Sequence, residues 1–110
     1  MSFSIKKTTI TLTRGDTLKA QIKLVDEHGD PYEFSAGDVV RFAMKKNYSD
    51  ETTLINREIP TDSLVLILNP MDTKRLDFGD YVYDIQLTKE NGEVDTFITK
   101  GTLKLTEEVE

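Results

Sequence analysis

The chain contains no cysteine, no tryptophan and a single histidine. Without thiols there is no disulfide framework and no thiolate metal site. That suits folding in a reducing cytoplasm and argues against a small secreted disulfide scaffold. The lone imidazole, His28, lies in a polar run with no serine or cysteine partner implied, so the members of a nucleophile–base–orienter set are missing. His28 reads as an exposed loop residue. No apolar run is long enough to cross a bilayer. The opening Met1–Lys7 lacks the apolar core of a signal peptide, so synthesis in the cytoplasm without a leader is expected. Repeats at a solenoid period, low-complexity tracts and helical periodicity are also absent. Basic residues are the minority: 14 Lys and Arg against 20 Asp and Glu leave a net charge of −6. An acidic surface repels phosphate backbones, which disfavours nucleic acid as a partner.

What the chain does have is alternation. Its 110 residues fit one domain, spanning 1–110, that buries roughly two-thirds of the surface of its unfolded chain. Ile10 and Leu12 share one face of a first strand, while Phe3 and Ile5 fall on the other parity. The phase therefore changes near Lys6-Lys7. Arg14-Gly15-Asp16 turns the chain into a second strand with Leu18, Ala20, Ile22 and Leu24 in phase. Asp26 to Pro31 is dense in turn formers. A third strand points Val40, Phe42 and Met44 inward and Arg41, Ala43 and Lys45 outward. Asn47–Glu51 is a polar loop, and a fourth strand carries Ile55 and Ile59. Leu64-Val65-Leu66-Ile67-Leu68 is apolar on both parities, which predicts a fifth strand covered on both faces. Asn69-Pro70 stops it. One helical turn is expected near residues 71–76, with Asn69 or Asp72 as cap and Pro70 at its start.

The last two strands read as a hairpin. Asn91-Gly92 signals a two-residue type I′ turn, which pairs Ile85 with Ile98 and Leu87 with Thr96. That register leaves Leu103 and Leu105 on the wrong parity. One extra residue in a bulge at or beside Gly101 restores them to the core. Ahead of this hairpin, Asp77-Phe78-Gly79-Asp80-Tyr81 forms the other informative segment. An Asp-x-Gly-x-Tyr sequence running into a strand matches a tyrosine corner, in which the phenol bonds back to upstream backbone. In antibody domains a cysteine follows two residues later; here Tyr83 holds that place. Asp77, Gly79 and Tyr81 are thus expected to be structural. The expected fold is all-β, an immunoglobulin-like sandwich of about seven strands with one short helical turn.

Few residues invite a chemical role. Arg14-Gly15-Asp16 matches an adhesion tripeptide but also ordinary turn chemistry between strands, and it is read as a turn. Asp26, Glu27 and Asp30 beside Gly29 offer oxygen ligands without the alternation of a calcium loop. Asp77 and Asp80 are no better placed, and no metal or cofactor is expected. Carboxylate pairs suited to glycoside hydrolysis have no specificity among so many acids. Tyr32, Phe34, Tyr48 and Phe78 lie near turns, where rings close the ends of a sandwich. Glu107-Glu108-Val109-Glu110 is an acidic tail.

Several segments, taken in order, resemble the N-terminal immunoglobulin-like domain of baseplate upper proteins from tailed phages of Gram-positive bacteria. They are Thr13–Thr17, Asp26–Tyr32 with Phe34–Gly37, Val40–Lys46, Gly79–Thr88 and Gly101–Thr106, together covering about residues 10–106. The resemblance implies a virion component that docks by one face into an oligomeric baseplate or tail, with no catalytic residues to carry over. Proteins of that family continue well beyond this domain. A stand-alone accessory protein, or a downstream part encoded separately, is therefore expected here.

The sequence thus predicts a non-enzymatic assembly protein, of phage or prophage type, acting through protein contacts with itself or with other tail proteins. Membrane insertion is not expected. The candidate contact elements are Leu64, Leu66 and Leu68, and the final strand with Leu103 and Leu105, since edge strands can pair across subunits. The rival reading is a carbohydrate- or cell-surface-binding module using Tyr32, Tyr48 and Phe78, which requires those rings on one exposed face.

Overall fold

A computed structural model describes residues 9–107, with side chains throughout that span except at 98–100. The expected phase change near Lys6-Lys7 and the end of the acidic tail lie outside the described residues. Among the described residues seven strands form in chain order: β1 (Thr9–Thr13), β2 (Leu18–Gln21), β3 (Val39–Lys45), β4 (Ile55–Ile59), β5 (Val65–Leu68), β6 (Gly79–Thr88) and β7 (Val94–Thr106). A single helical turn, α1 (Pro70–Lys74), lies between β5 and β6.

The strands make two sheets, one ordered β1-β7-β6-β3-β4 and a smaller one of β2 and β5. All pairings are antiparallel except β1 with β7, which run parallel. A five-stranded sheet that joins the first strand to the β6–β7 and β3–β4 hairpins, with a second sheet of strands two and five, makes an all-β, sandwich-like fold. The core lies between the sheets, because alternation sends one parity of each strand inward. Val40, Phe42 and Met44 of β3, Ile85 and Leu87 of β6, Leu66 and Leu68 of β5, and Leu103 of β7 are all fully buried.

The tyrosine corner is present. Tyr81 Oη donates to the carbonyl of Asp77 at 2.6 Å, and its ring is buried at the start of β6. α1 begins as expected, with Asn69 as N-cap and Pro70 in the first turn. The backbone N–H of Asn69 donates to Asp72 Oδ2 at 2.6 Å, which satisfies a helix-end donor.

The β6–β7 hairpin departs from the two-residue turn. Gly92 N–H bonds to the carbonyl of Lys89, Lys89 N–H bonds to the carbonyl of Glu93, and only Gly92 of the loop has positive φ, at 92°. The loop therefore has three residues, a type I turn closed by a left-handed glycine. Asn91 stays out of the left-handed region because its Oδ1 instead accepts from Glu93 N–H at 3.0 Å. This moves the register by one, so Leu87 faces Asp95 rather than Thr96. β7 then inserts a residue between Thr96 and Ile98, which restores the expected pairing of Ile85 with Ile98. A second extra residue precedes Gly101, whose partner is Tyr83. The bulge expected beside Gly101 is thus present, and beyond it Leu103 and Leu105 reach the core.

Gly101 has its own reason to be glycine. A Cβ there would lie 2.3 Å from the Tyr83 ring, so the ring packs directly on the β7 backbone. Tyr83 in turn lies 5.0 Å from Phe42, ring centre to ring centre. Burial pushes the Tyr83 phenol up to about 12.

One strand expectation fails. β5 starts at Val65, and Leu64 adopts φ 53°, a conformation rare for a branched side chain. Its N–H closes the turn onto the carbonyl of Pro60. Beyond it the strand alternates: Leu66 and Leu68 are buried, Val65 is half-buried and Ile67 is exposed. β5 is covered on one face, because the two-stranded sheet turns its other face outward, with Ile67 beside Lys19.

Candidate functional site

The leucines that the sequence offered as contact residues are core residues. Leu66, Leu68, Leu103 and Leu105 have at most 2% of their surface exposed, and Leu64 packs partly buried against the same core. β7 is also no edge, since β1 covers one side and β6 the other. The misreading has a physical cause: a strand buried between two neighbours and a strand that seeks a partner are apolar in the same way.

The edge of β5 is occupied within the chain. Arg57, on the inward parity of β4, donates from one guanidinium nitrogen to the carbonyl of Ile67 at 2.8 Å. Its other nitrogen meets Asp72 Oδ1 of α1 at 2.8 Å. One side chain therefore ties the large sheet, the small sheet and α1 together. An inward-pointing charge of this kind also blunts a sheet edge.

The Arg14-Gly15-Asp16 turn is docked against the corner. Arg14 donates to the carbonyl of Leu76 at 3.2 Å and its guanidinium lies 4.1 Å from the centre of the Phe78 ring. Gly15 N–H donates to the hydroxyl of Thr73, at 3.0 Å, and Thr73 is fully buried. The turn packs against the domain instead of protruding from it. Phe78 serves this junction as the platform under Arg14.

Tyr32 and Tyr48, two of the three rings of the ligand-face reading, lie at opposite ends of the large sheet. Tyr32 packs edge-on against Phe34 and Phe97 and borders a polar cleft with Ser35, Asp38, Lys89 and Asn91. That cleft lies where Val39 pairs with Thr88. Tyr48 lies beyond the opposite end of β3, where Lys45 pairs with Val82, about 20 Å away at roughly 3.3 Å per residue. Burial raises the Tyr32 phenol above its ordinary value, with Lys89 acting in the opposite sense.

Titratable groups are no more concentrated. Asp26 Oδ1 accepts from the N–H groups of His28 and Asp30 at 2.9 and 3.0 Å, which accounts for its place in the loop. His28 is exposed, 3.8 Å from Glu27. Among the described residues no group of three His, Cys, Asp or Glu side chains is placed to hold a metal ion. No helix among them is long and apolar enough to cross a membrane.

One surface stands out that the sequence did not single out. On the outer face of the large sheet, Ala43 lies opposite Asp84 and Lys45 opposite Val82. The small Ala43 side chain leaves a hollow of about 150 Å³ lined by Ala43, Lys45, Tyr48, Val82, Tyr83 and Asp84. β7 offers Asp84 no register partner, because its bulge falls there. Tyr48 stands at the rim, 55% exposed. Burial raises the Asp84 carboxyl above the usual carboxylate range, against the pull of Lys45 and of a hydrogen bond from Gln86. No protein-family model matches the chain, and no curated protein matches it either. The signals for this surface were legible singly, in outward parity and in the bulge. What was not legible is that the bulge falls opposite Asp84, beside an alanine and a loop tyrosine.

Proposed function

We propose that the chain is a non-enzymatic assembly module of a tailed-phage baseplate or tail, acting through protein–protein contacts. The ordered resemblance from Thr13–Thr17 to Gly101–Thr106 supplies the phage context. The observation that carries the protein-contact role is the outer face of the five-stranded sheet. There an exposed tyrosine borders an open hollow, the kind of anchor that concentrates binding energy at protein interfaces. The separation of Tyr32 from Tyr48 weighs against the carbohydrate-binding alternative, which needs a shared platform of rings.

The reading is tested on tail particles purified from the strain that encodes the chain. Peptides of the chain at a fixed ratio to known tail proteins are expected by mass spectrometry. Consistent absence from intact particles would exclude the role. A glycan panel on the isolated protein checks the alternative, for which binding abolished by Tyr32→Ala would be the required result.

A further inference from the structure

The outer face of the large sheet has a composition unlike the rest of the molecule. Parity places Arg41, Lys45 and Lys104 there against Glu58, Asp80 and Asp84, so the described side chains on this face balance in a chain whose net charge is −6. Two copies of an acidic protein repel each other over most of their surfaces. A balanced face is where they can approach. Opposite charges also sit side by side on it: Lys45 and Asp84 line the same hollow. A twofold axis through such a face brings the basic residue of one copy against the acidic residue of the other, and does so twice. The hollow has a matching feature next to it. A cavity of about 150 Å³ accommodates a benzene-sized ring, and the nearby Tyr48 ring is more than half exposed.

We propose that two copies of this chain associate face to face through the outer surface of the five-stranded sheet. Tyr48 of each copy seats in the hollow over Ala43 of the other, and Lys45 of each faces Asp84 of the other. The inference rests on the protein-contact role above and names its partner as a second copy. The face is small. Five strands at roughly 4.8 Å spacing and about seven residues in length present on the order of 500 Å² in projection, which matches the low end of specific interfaces. The dimer is therefore weak alone and strengthened when other contacts hold the copies together.

Sedimentation equilibrium over a hundredfold concentration range tests this on the full chain. The expected result is a reversible rise from the 12.5 kDa chain mass toward twice that value. Tyr48→Ser, Lys45→Asp and Asp84→Lys should each weaken the association about tenfold or more, since like charges meet twice in each reversal variant. Mixing Lys45→Asp with Asp84→Lys is the decisive arm. In the mixed dimer both facing pairs become opposite again, so association should return although each variant alone associates only weakly. Circular dichroism of each variant shows that the fold is retained. A wild-type monomer at every concentration would overturn the inference, as would a dimer that ignores all three substitutions or a mixture that does not associate. None of these outcomes touches the presence of the chain in tail particles. Conversely, a dimer on this face in a chain missing from particles would leave the inference standing and remove the phage role.

Discussion

The bulged ladder between β6 and β7 and the junction around α1 are held together by different means. The ladder is fitted by shape. Its register slips twice, and a tyrosine ring lies on a glycine with no room for a methyl group. The junction is fastened by polar groups. Arg57 spans two sheets and a helical turn, Arg14 reaches the carbonyl of Leu76, and Tyr81 returns to Asp77. The difference follows from what each region must satisfy. Strands complete their backbone hydrogen bonds through the ladder, so packing decides the details there. Turns and a five-residue helix leave carbonyls and N–H groups that side chains must satisfy.

The sharpest way to break the shape-fitted region is Gly101→Ala. The new Cβ would meet the Tyr83 ring at 2.3 Å, so the ring, packed on Phe42, or the β7 backbone must shift. Overpacking of this kind costs about 1–3 kcal/mol, and the value here should lie at the upper end. Urea denaturation measures it. The same alanine in a Tyr83→Leu background should cost clearly less, because contacting residues are not additive. Equal costs in both backgrounds would show that the ring is not the obstacle.

The polar junction should give way more gently. Tyr81→Phe removes the 2.6 Å bond to the Asp77 carbonyl while leaving the buried ring in place. A typical hydrogen bond contributes about 0.5–1.5 kcal/mol net, so a loss of about 1 kcal/mol is expected by thermal or urea unfolding, with the fold unchanged. A loss as large as that of Gly101→Ala would erase the contrast between the two regions.

Local chemistry was what the sequence displayed well. The corner at Asp77–Tyr81, the cap at Asn69 and the bulge beside Gly101 each rest on a few neighbouring residues whose types leave little choice. Parity also placed Val40, Phe42 and Met44 correctly. Tertiary questions were less legible. The apolar run Leu64–Leu68 looked covered on both faces, but Ile67 is exposed, and β-branched residues favour strands whether or not they are buried. Asn91-Gly92 suggested a two-residue turn, yet the bulge in β7 tolerates a three-residue loop and returns Ile85 to Ile98. The outer-face hollow depends on three segments meeting, and no single segment announces it.

Asp84 sharpens the comparison from the opposite side, because it is a charge placed on the shape-fitted ladder without a dedicated clasp. Its carboxyl is raised, first by burial, and its hydrogen bond from Gln86 Nε2 is long at 3.4 Å. The sign of the pH effect follows. A carboxyl whose folded value exceeds its unfolded one binds its proton more tightly in the folded state, so stability falls as pH rises from the unfolded value, 3.8, through the folded one. The cost is absent below that window and complete above it. Asp84→Asn keeps the shape and removes the titration. Measured at concentrations too low for self-association, the variant should be as stable as the wild type or slightly more so at neutral pH. The decline in stability just above the ordinary carboxylate range should flatten. Comparing the unfolding midpoints of the two proteins from about pH 3 to pH 7 gives the answer. A variant less stable than the wild type at neutral pH would instead make Asp84 one more polar fastener, and would erase the difference between the ladder and the junction at that position.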